Sequence, residues 1–115
     1  MLKFDKHLWE IYDPDKILSY NKDNFDLNAL ISLGKIYPRE DLMFFKNIFT
    51  NKTIDFGYYG CEIQLDGIWI VYVVDENKKN AWDKPLEVHK FLFTQFYQSI
   101  NCIQDIIEKD NETIF

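Results

Sequence analysis

The stretch from Tyr58 to Asp75 reads YYGCEIQLDGIWIVYVVD and decides the fold, because two apolar segments flank the dipeptide Asp66-Gly67. Asp-Gly between alternating apolar residues favours a two-residue β-hairpin turn. Such a turn predicts the pairs Leu65 with Ile68, Ile63 with Ile70, and Cys61 with Tyr72. The second strand, Ile68 to Val74, is apolar on both faces, which is typical of a strand in the middle of a sheet.

The segments next to this hairpin predict a preceding strand and a long following helix. Thr53 to Tyr59 is rich in β-branched and aromatic residues, while Gly57 and Gly60 indicate a bulge or a close main-chain approach. Pro85 begins a helix that we expect to reach about Lys109 and to pack on one face of the sheet. Its apolar side chains recur at helical spacing: Val88, Leu92, Phe96, Ile100, Ile103 and Ile107.

Two helices are predicted in the N-terminal half. Asp26 is the expected N-cap of a helix over Leu27 to Leu33, and Gly34 ends that helix. Pro38 begins a second helix, reaching about Thr50. The apolar stripe of this second helix consists of Leu42, Phe45, Ile48 and Phe49.

The first residues of the chain are compatible with more than one structure. Residues 2–12 fit either a helical turn or a short edge strand, and residues 13–15 predict a turn or the start of a short helix. No linker or repeat divides the 115 residues, which suffice for one hydrophobic core. We therefore predict a single α+β domain over residues 1–115, with an antiparallel sheet of three or more strands centred on the 61–75 hairpin. A helical N-terminal half and a long C-terminal helix packed on the sheet complete this prediction.

The charge of the chain argues against direct nucleic-acid binding. The net charge is −6 and the isoelectric point is near 4.8. No basic stripe is present to neutralise phosphates, so we expect no nucleic-acid partner. An acidic surface either maintains solubility alone or suits a basic protein partner, since opposite potentials accelerate encounter.

The N-terminal residues and the cysteines indicate a cytoplasmic protein. The first ten residues, MLKFDKHLWE, lack the apolar segment of a signal peptide. No run approaches the ~18 apolar residues that span a bilayer, so no membrane association is expected. Cys61 and Cys102 form neither a zinc-binding set nor a Cys-x-x-Cys pair, and we expect both to be buried as reduced thiols.

No pattern in the sequence predicts an enzyme, a metal site or a cofactor. His7 and Glu10 are three residues apart without a second histidine at helical spacing, and His89 is isolated, whereas zinc needs three or four convergent ligands. Cys61 and Cys102 lie on apolar stripes, where a thiol is normally unreactive. No glycine-rich phosphate-binding motif occurs.

Surface recognition is the activity that the composition favours. Aromatic residues make up 17% of the chain, more than one small core can hide. Acidic residues lie beside several of them, and exposed rings next to carboxylates suit a basic protein partner. The expected partner-binding residues are Trp82, Asp83, Asp75 and Glu76 after the hairpin, with Tyr58 and Tyr59 as secondary contacts.

A short, acidic, aromatic-rich, cysteine-poor single domain of this kind resembles the immunity proteins of bacterial contact-dependent growth inhibition and polymorphic toxin systems. The resemblance lies in the general character of the whole chain. It implies a cytoplasmic antitoxin that binds a basic, nuclease-type toxin domain and blocks its active site or a neighbouring surface.

Two alternatives to an immunity protein are open at this point. One is a phage or mobile-element inhibitor of host defence, which the neighbouring genes would distinguish. The other is a small-ligand-binding domain or enzyme with a pocket between the sheet and the C-terminal helix, lined by Trp69, Tyr72 and Phe96 with Glu62 at its mouth. A filled core at that position would exclude the second alternative.

Overall fold

The computed structural model describes residues 2, 7–61 and 64–114. These residues form a five-stranded antiparallel sheet whose strand order equals the chain order. The strands are β1 (Trp9–Tyr12), β2 (Met43–Asn47), β3 (Lys52–Tyr59), β4 (Ile68–Asp75) and β5 (Glu87–Leu92). The helices are α1 (Leu27–Ser32) and α2 (Phe96–Ile114), with 3-10 turns at Ile17–Ser19, Lys22–Asn24, Ala81–Asp83 and Phe93–Gln95.

The predicted helical N-terminal half is wrong. Residues 38–50 contain β2 instead of a helix, and their burial alternates along the strand: Phe45 is buried whereas its neighbour Phe44 is exposed. Ile48 and Phe49, assigned to the buried stripe of the predicted helix, are 51% and 69% exposed. Pairing with β1 and β3 decides the conformation here, because a strand gains its hydrogen bonds from distant segments that local spacing does not reveal.

Local capping signals in the same half are confirmed. The Asp26 carboxylate accepts a hydrogen bond from the Ala29 amide at 3.1 Å and starts α1. Gly34 follows α1 in the left-handed conformation, with φ of 71°. Nearer the N-terminus, Trp9–Tyr12 forms the short edge strand β1 instead of a helical turn.

The hairpin exists, but its predicted register is wrong. Tyr59 lies opposite Ile68, so Asp66-Gly67 lies beyond the last strand pair and is not a two-residue turn. The buried Tyr58 hydroxyl organises this connection by accepting from the Gly67 amide at 2.8 Å and donating to the Cys61 carbonyl at 3.1 Å. Cys61 is exposed rather than buried. Ile63, another residue of the predicted register, lies outside the described residues.

The sheet is centred on β3 rather than on the hairpin strand β4, and the C-terminal helix begins later than predicted. Val88 and Leu92 belong to the edge strand β5 and are 41% and 60% exposed. From Phe96 onward the predicted stripe is confirmed, because Phe96, Ile100, Ile103 and Ile107 are all buried. The helix continues past Lys109 to Ile114.

The two faces of the sheet differ in what packs on them. On the covered face, α2 and residues of the N-terminal connection bury the aromatic core, where the Trp69 and Phe96 ring centroids are 5.0 Å apart. We call the opposite side the open face. The main chain at Glu40 crosses part of it so closely that a Cβ on Gly57 would collide with the Glu40 carbonyl. The chain itself therefore makes the close approach that Gly57 indicates.

Candidate functional site

A groove on the open face is the strongest candidate for a functional site. It has a volume of about 520 Å³ and lies across β1, β2 and β3, beside the connection that follows β4. Its lining consists of Glu10, Asp41, Phe44, Lys46, Thr53, Asp55, Glu76 and Trp82. An adjoining hollow of about 250 Å³ is lined by Tyr12, Asp41, Met43, Phe44 and Asp55. We refer to both together as the open-face groove.

Antiparallel pairing assembles this groove from segments that are distant in sequence. One cross-strand row on the open face runs Tyr12, Phe44, Asp55, Tyr72 and Val88. The next row contains Glu10, Lys46 and Thr53. Residues two apart on a strand share a face, so the two rows form one continuous surface.

Aromatic rings form the apolar part of the groove. Tyr12 and Phe44 are stacked, with ring centroids 5.1 Å apart and an interplanar angle of 12°. Phe44 is 38% exposed, and Trp82, on the 3-10 turn after β4, is 53% exposed. Partly exposed rings beside a concave surface are the side chains that most often dominate the energy of protein interfaces.

Carboxylates outnumber cations around these rings. Lys46 is committed to Glu76, with Nζ 3.1 Å from Oε2, and the Thr53 hydroxyl donates to the other oxygen of Glu76 at 3.0 Å. The charges of Lys46 and Glu76 therefore cancel each other. Glu10, Asp41 and Asp55 therefore leave the described lining with more negative than positive charge, although the Arg39 guanidinium also acts on Asp41.

Asp55 has the most perturbed carboxyl group of the groove. It sits on β3, the middle strand, and is partly buried. Burial, followed by the negative charge of Asp41, raises its pKa to about 6, although the amide of Phe56 acts in the opposite direction. Its charge in turn contributes, after burial, to raising the pKa of the Tyr59 phenol. Asp55 forms no ion pair with any residue in the described part of the chain.

The structure brings together only some of the contacts predicted from the sequence. Trp82 and Glu76 line the groove, and Asp83 joins them in a neighbouring depression of about 430 Å³. Asp75 does not line either hollow, and its carboxylate accepts from the Asn77 amide at 3.0 Å to hold the turn after β4.

The two predicted tyrosine contacts differ in exposure. Tyr58 is 2% exposed, so its ring belongs to the core and cannot reach a partner. Tyr59 is half-buried on the open face, where it packs edge-on against Tyr72 with ring centroids 6.1 Å apart. Only Tyr59 is therefore placed near the surface that holds the groove.

Sequence reasoning missed six residues of the groove lining: Glu10, Asp41, Phe44, Lys46, Thr53 and Asp55. The helix predicted over 38–50 gave Asp41, Phe44 and Lys46 no common face with Asp55. The sequence MFFKN over Met43–Asn47 gave little signal for a half-buried strand, because the apolar Phe44 is exposed while the polar Asn47 is buried.

The alternative pocket between the sheet and the C-terminal helix does not form from the residues proposed for it. Trp69 and Phe96 are buried in mutual contact on the covered face. Tyr72 lies on the opposite side of the sheet, where it packs against Tyr59. Glu62, assigned to the mouth of that pocket, lies outside the described residues.

Cys102 and His89 line one hollow of about 350 Å³, together with Glu87 and Asp105. Burial raises the pKa of the Cys102 thiol to about 11, which keeps it protonated and unreactive. His89 contacts Glu87, with Nε2 3.0 Å from Oε1. Over residues 2, 7–61 and 64–114, no three His, Cys, Asp or Glu side chains are grouped to hold a metal ion.

Comparisons of the chain with family models, curated proteins and solved structures find no significant match. None of the helices within the described ranges combines the length and hydropathy required of a membrane span. Functional inference therefore depends on the geometry and charge of the open-face groove.

Proposed function

We propose that this protein is an immunity protein that binds and neutralises a basic, nuclease-type toxin domain through the open-face groove. The observation that supports the proposal is the groove itself, where Glu10, Asp41 and Asp55 surround the exposed rings of Phe44 and Trp82. The basic character of the partner follows from this charge. Its nuclease character comes from the resemblance of the whole chain to immunity proteins.

The physical chemistry of the groove suits inhibition of a nuclease. A nuclease must present cationic side chains to the phosphates of its substrate. An acidic surface that covers those side chains competes with the substrate for the same charges. The exposed rings of Phe44 and Trp82 add apolar area, which contributes affinity that salt does not screen.

Co-expression with the basic toxin domain encoded beside this gene tests the proposal. We expect the wild-type chain to restore growth of cells that express the toxin, and the two proteins to elute together in size-exclusion chromatography. The double variant Phe44→Ala with Asp55→Asn should weaken the complex about a hundredfold, because it removes a ring and a charge from the groove.

A matched double variant controls for the loss of any exposed ring and any carboxylate. Phe49→Ala with Asp105→Asn removes the same chemical groups from exposed positions outside the groove, and it should protect as well as wild type. Equal loss of protection in both double variants would contradict the assignment of the groove. A neighbouring gene that encodes no toxin, or a toxin against which wild type gives no protection, would overturn the function.

A further inference from the structure

We propose that the open-face groove receives an arginine side chain of the partner, with its guanidinium stacked on Phe44 and paired with Asp55. This inference rests on the proposed function and names the chemistry that the groove recognises. Three features of the described residues support it: an uncompensated carboxylate, a flat aromatic surface beside it, and the same combination of groups elsewhere in the chain.

The first feature is the contrast between Asp55 and other carboxylates that lose water on folding. Asp15 is paired with Arg39 at 2.8 Å, and Asp110 with Lys52 at 3.2 Å. Asp55 is also partly buried, at the centre of the sheet, yet it forms no ion pair with a described residue. A desolvated carboxylate gains more from an incoming cation than a hydrated one, because less water screens the attraction.

The second feature is the ring beside this carboxylate. Phe44 lies between Tyr12 and Asp55 in one cross-strand row, and Tyr12 already stacks on it nearly parallel. A guanidinium is planar and weakly hydrated, so it can extend this stack while its fork of N–H groups reaches a carboxylate. A lysine ammonium is a compact, strongly hydrated charge that gains less from a flat ring.

The third feature is that Arg39, the single arginine of this chain, already shows the same recognition. Its two terminal nitrogens donate to the two oxygens of Asp15 at 2.8 and 3.0 Å. Its guanidinium carbon lies 6.0 Å from the ring centroid of Tyr37. The open-face groove presents the corresponding carboxylate and ring, and Asp41 supplies a second carboxylate at the same hollow.

An NMR titration of the ¹⁵N-labelled full chain tests this assignment. The probes are three peptides that differ at one side chain: acetyl-Gly-Arg-Gly-amide, its lysine counterpart and its citrulline counterpart. We expect the arginine peptide to shift the amides of Phe44 and Asp55, and to bind about tenfold more tightly than the lysine peptide. Citrulline has a similar shape without the charge, so its peptide should leave these amides unshifted.

Asp55→Asn is the decisive variant, and Asp105→Asn, at an exposed position of α2 outside the open-face groove, is its matched control. Asp55→Asn should weaken binding of the arginine peptide about tenfold, whereas Asp105→Asn should leave it unchanged. The amide spectrum of each variant reports whether its fold is retained. Equal affinity for the arginine and lysine peptides, shifts spread over α2, or unchanged binding by Asp55→Asn would each overturn the assignment.

The peptide titration and the toxin protection assay can fail independently. A wild-type chain that protects cells but shows no arginine selectivity overturns the arginine assignment and leaves the proposed function standing. A wild-type chain that binds the arginine peptide in the groove but protects against no neighbouring toxin overturns the proposed function and leaves the arginine site standing.

Discussion

The covered and open faces of the sheet come from alternate residues of the same strands, yet they are built for different tasks. On the covered face the large rings are buried and their polar atoms are paired, as when the Trp69 indole donates to the Phe93 carbonyl at 2.9 Å. On the open face the rings of Tyr12 and Phe44 are exposed, and the Asp55 carboxylate pairs with no cation among the residues that the structure describes. The covered face stabilises the fold, whereas the open face leaves aromatic rings and carboxylates exposed to a partner.

Ile103→Asp should have the largest effect, because it places a charge where a fully buried side chain packs on the covered face. We expect a loss of more than about 4 kcal/mol, enough to abolish the cooperative thermal transition in circular dichroism. Leu92→Asp is the control, since this residue of the same apolar sequence pattern is 60% exposed on β5. A folded Ile103→Asp variant would contradict the covered-face assignment.

Gly57→Ala should have the next largest effect, and it tests the close approach of the Glu40 main chain to the open face. The added Cβ meets the Glu40 carbonyl, and we expect a loss of about 2–3 kcal/mol in chemical denaturation. Gly34→Ala meets no atom within 4 Å and strains only a positive φ, so it should cost about 1 kcal/mol. Equal losses of stability in the two variants would mean that the Glu40 segment can move away from β3.

Ionisation of Asp55 should make the free energy of unfolding depend on pH. Its folded pKa of about 6 lies above the ordinary value of 3.8, with burial first and the charge of Asp41 second among the causes. The folded state therefore binds more protons than the unfolded state between these values, and stability should fall as pH rises from 4 to 6. The phenol of Tyr59 stays uncharged over this range, because burial raises its pKa.

We expect this contribution to be about 1 kcal/mol, because water still screens part of the charge. Asp55→Asn should remove it, and urea denaturation at several pH values measures the difference between the variant and wild type. An unchanged pH profile in the variant would show that the Asp55 carboxyl is hydrated like an ordinary surface group.

Trp82→Ala should have the smallest effect on stability, within about 0.5 kcal/mol, because the ring is 53% exposed beside the groove. Its effect on the proposed complex should be much larger, and we expect the affinity for the proposed toxin partner to fall at least about tenfold. Calorimetric titration of the complex and thermal unfolding of the free chain separate the two quantities. A Trp82→Ala variant that loses stability but keeps its affinity would show that Trp82 stabilises the fold and does not contribute to binding.

The early start predicted for the C-terminal helix has a simple physical cause. Residues four apart lie on one face of a helix, and they also lie on one face of a strand, where the side-chain period is two. Val88, Leu92 and Phe96 therefore matched a helical stripe, although the first two belong to β5. The spacing alone could not show where the strand ends and α2 begins.

The candidate site was harder to predict than the fold. Trp82 and Glu76 were identified because an acidic residue and a tryptophan in a polar loop are visible locally. Phe44 and Asp55 become neighbours only through the pairing of β2 with β3. Tyr58 was misplaced at the surface because a tyrosine beside glycines does not reveal that its hydroxyl binds main chain inside the fold.

Sequence by itself determined the features that depend on neighbouring residues: the Asp26 cap and Gly34 end of α1, the strand character of β3 and β4, and the buried stripe of α2 from Phe96 onward. Only the tertiary structure decided that residues 43–47 and 87–92 are strands, and which side chains share the open face. Strand pairing joins segments far apart in the chain. The row that places Tyr12, Phe44 and Asp55 in one groove therefore exists only after the sheet has assembled.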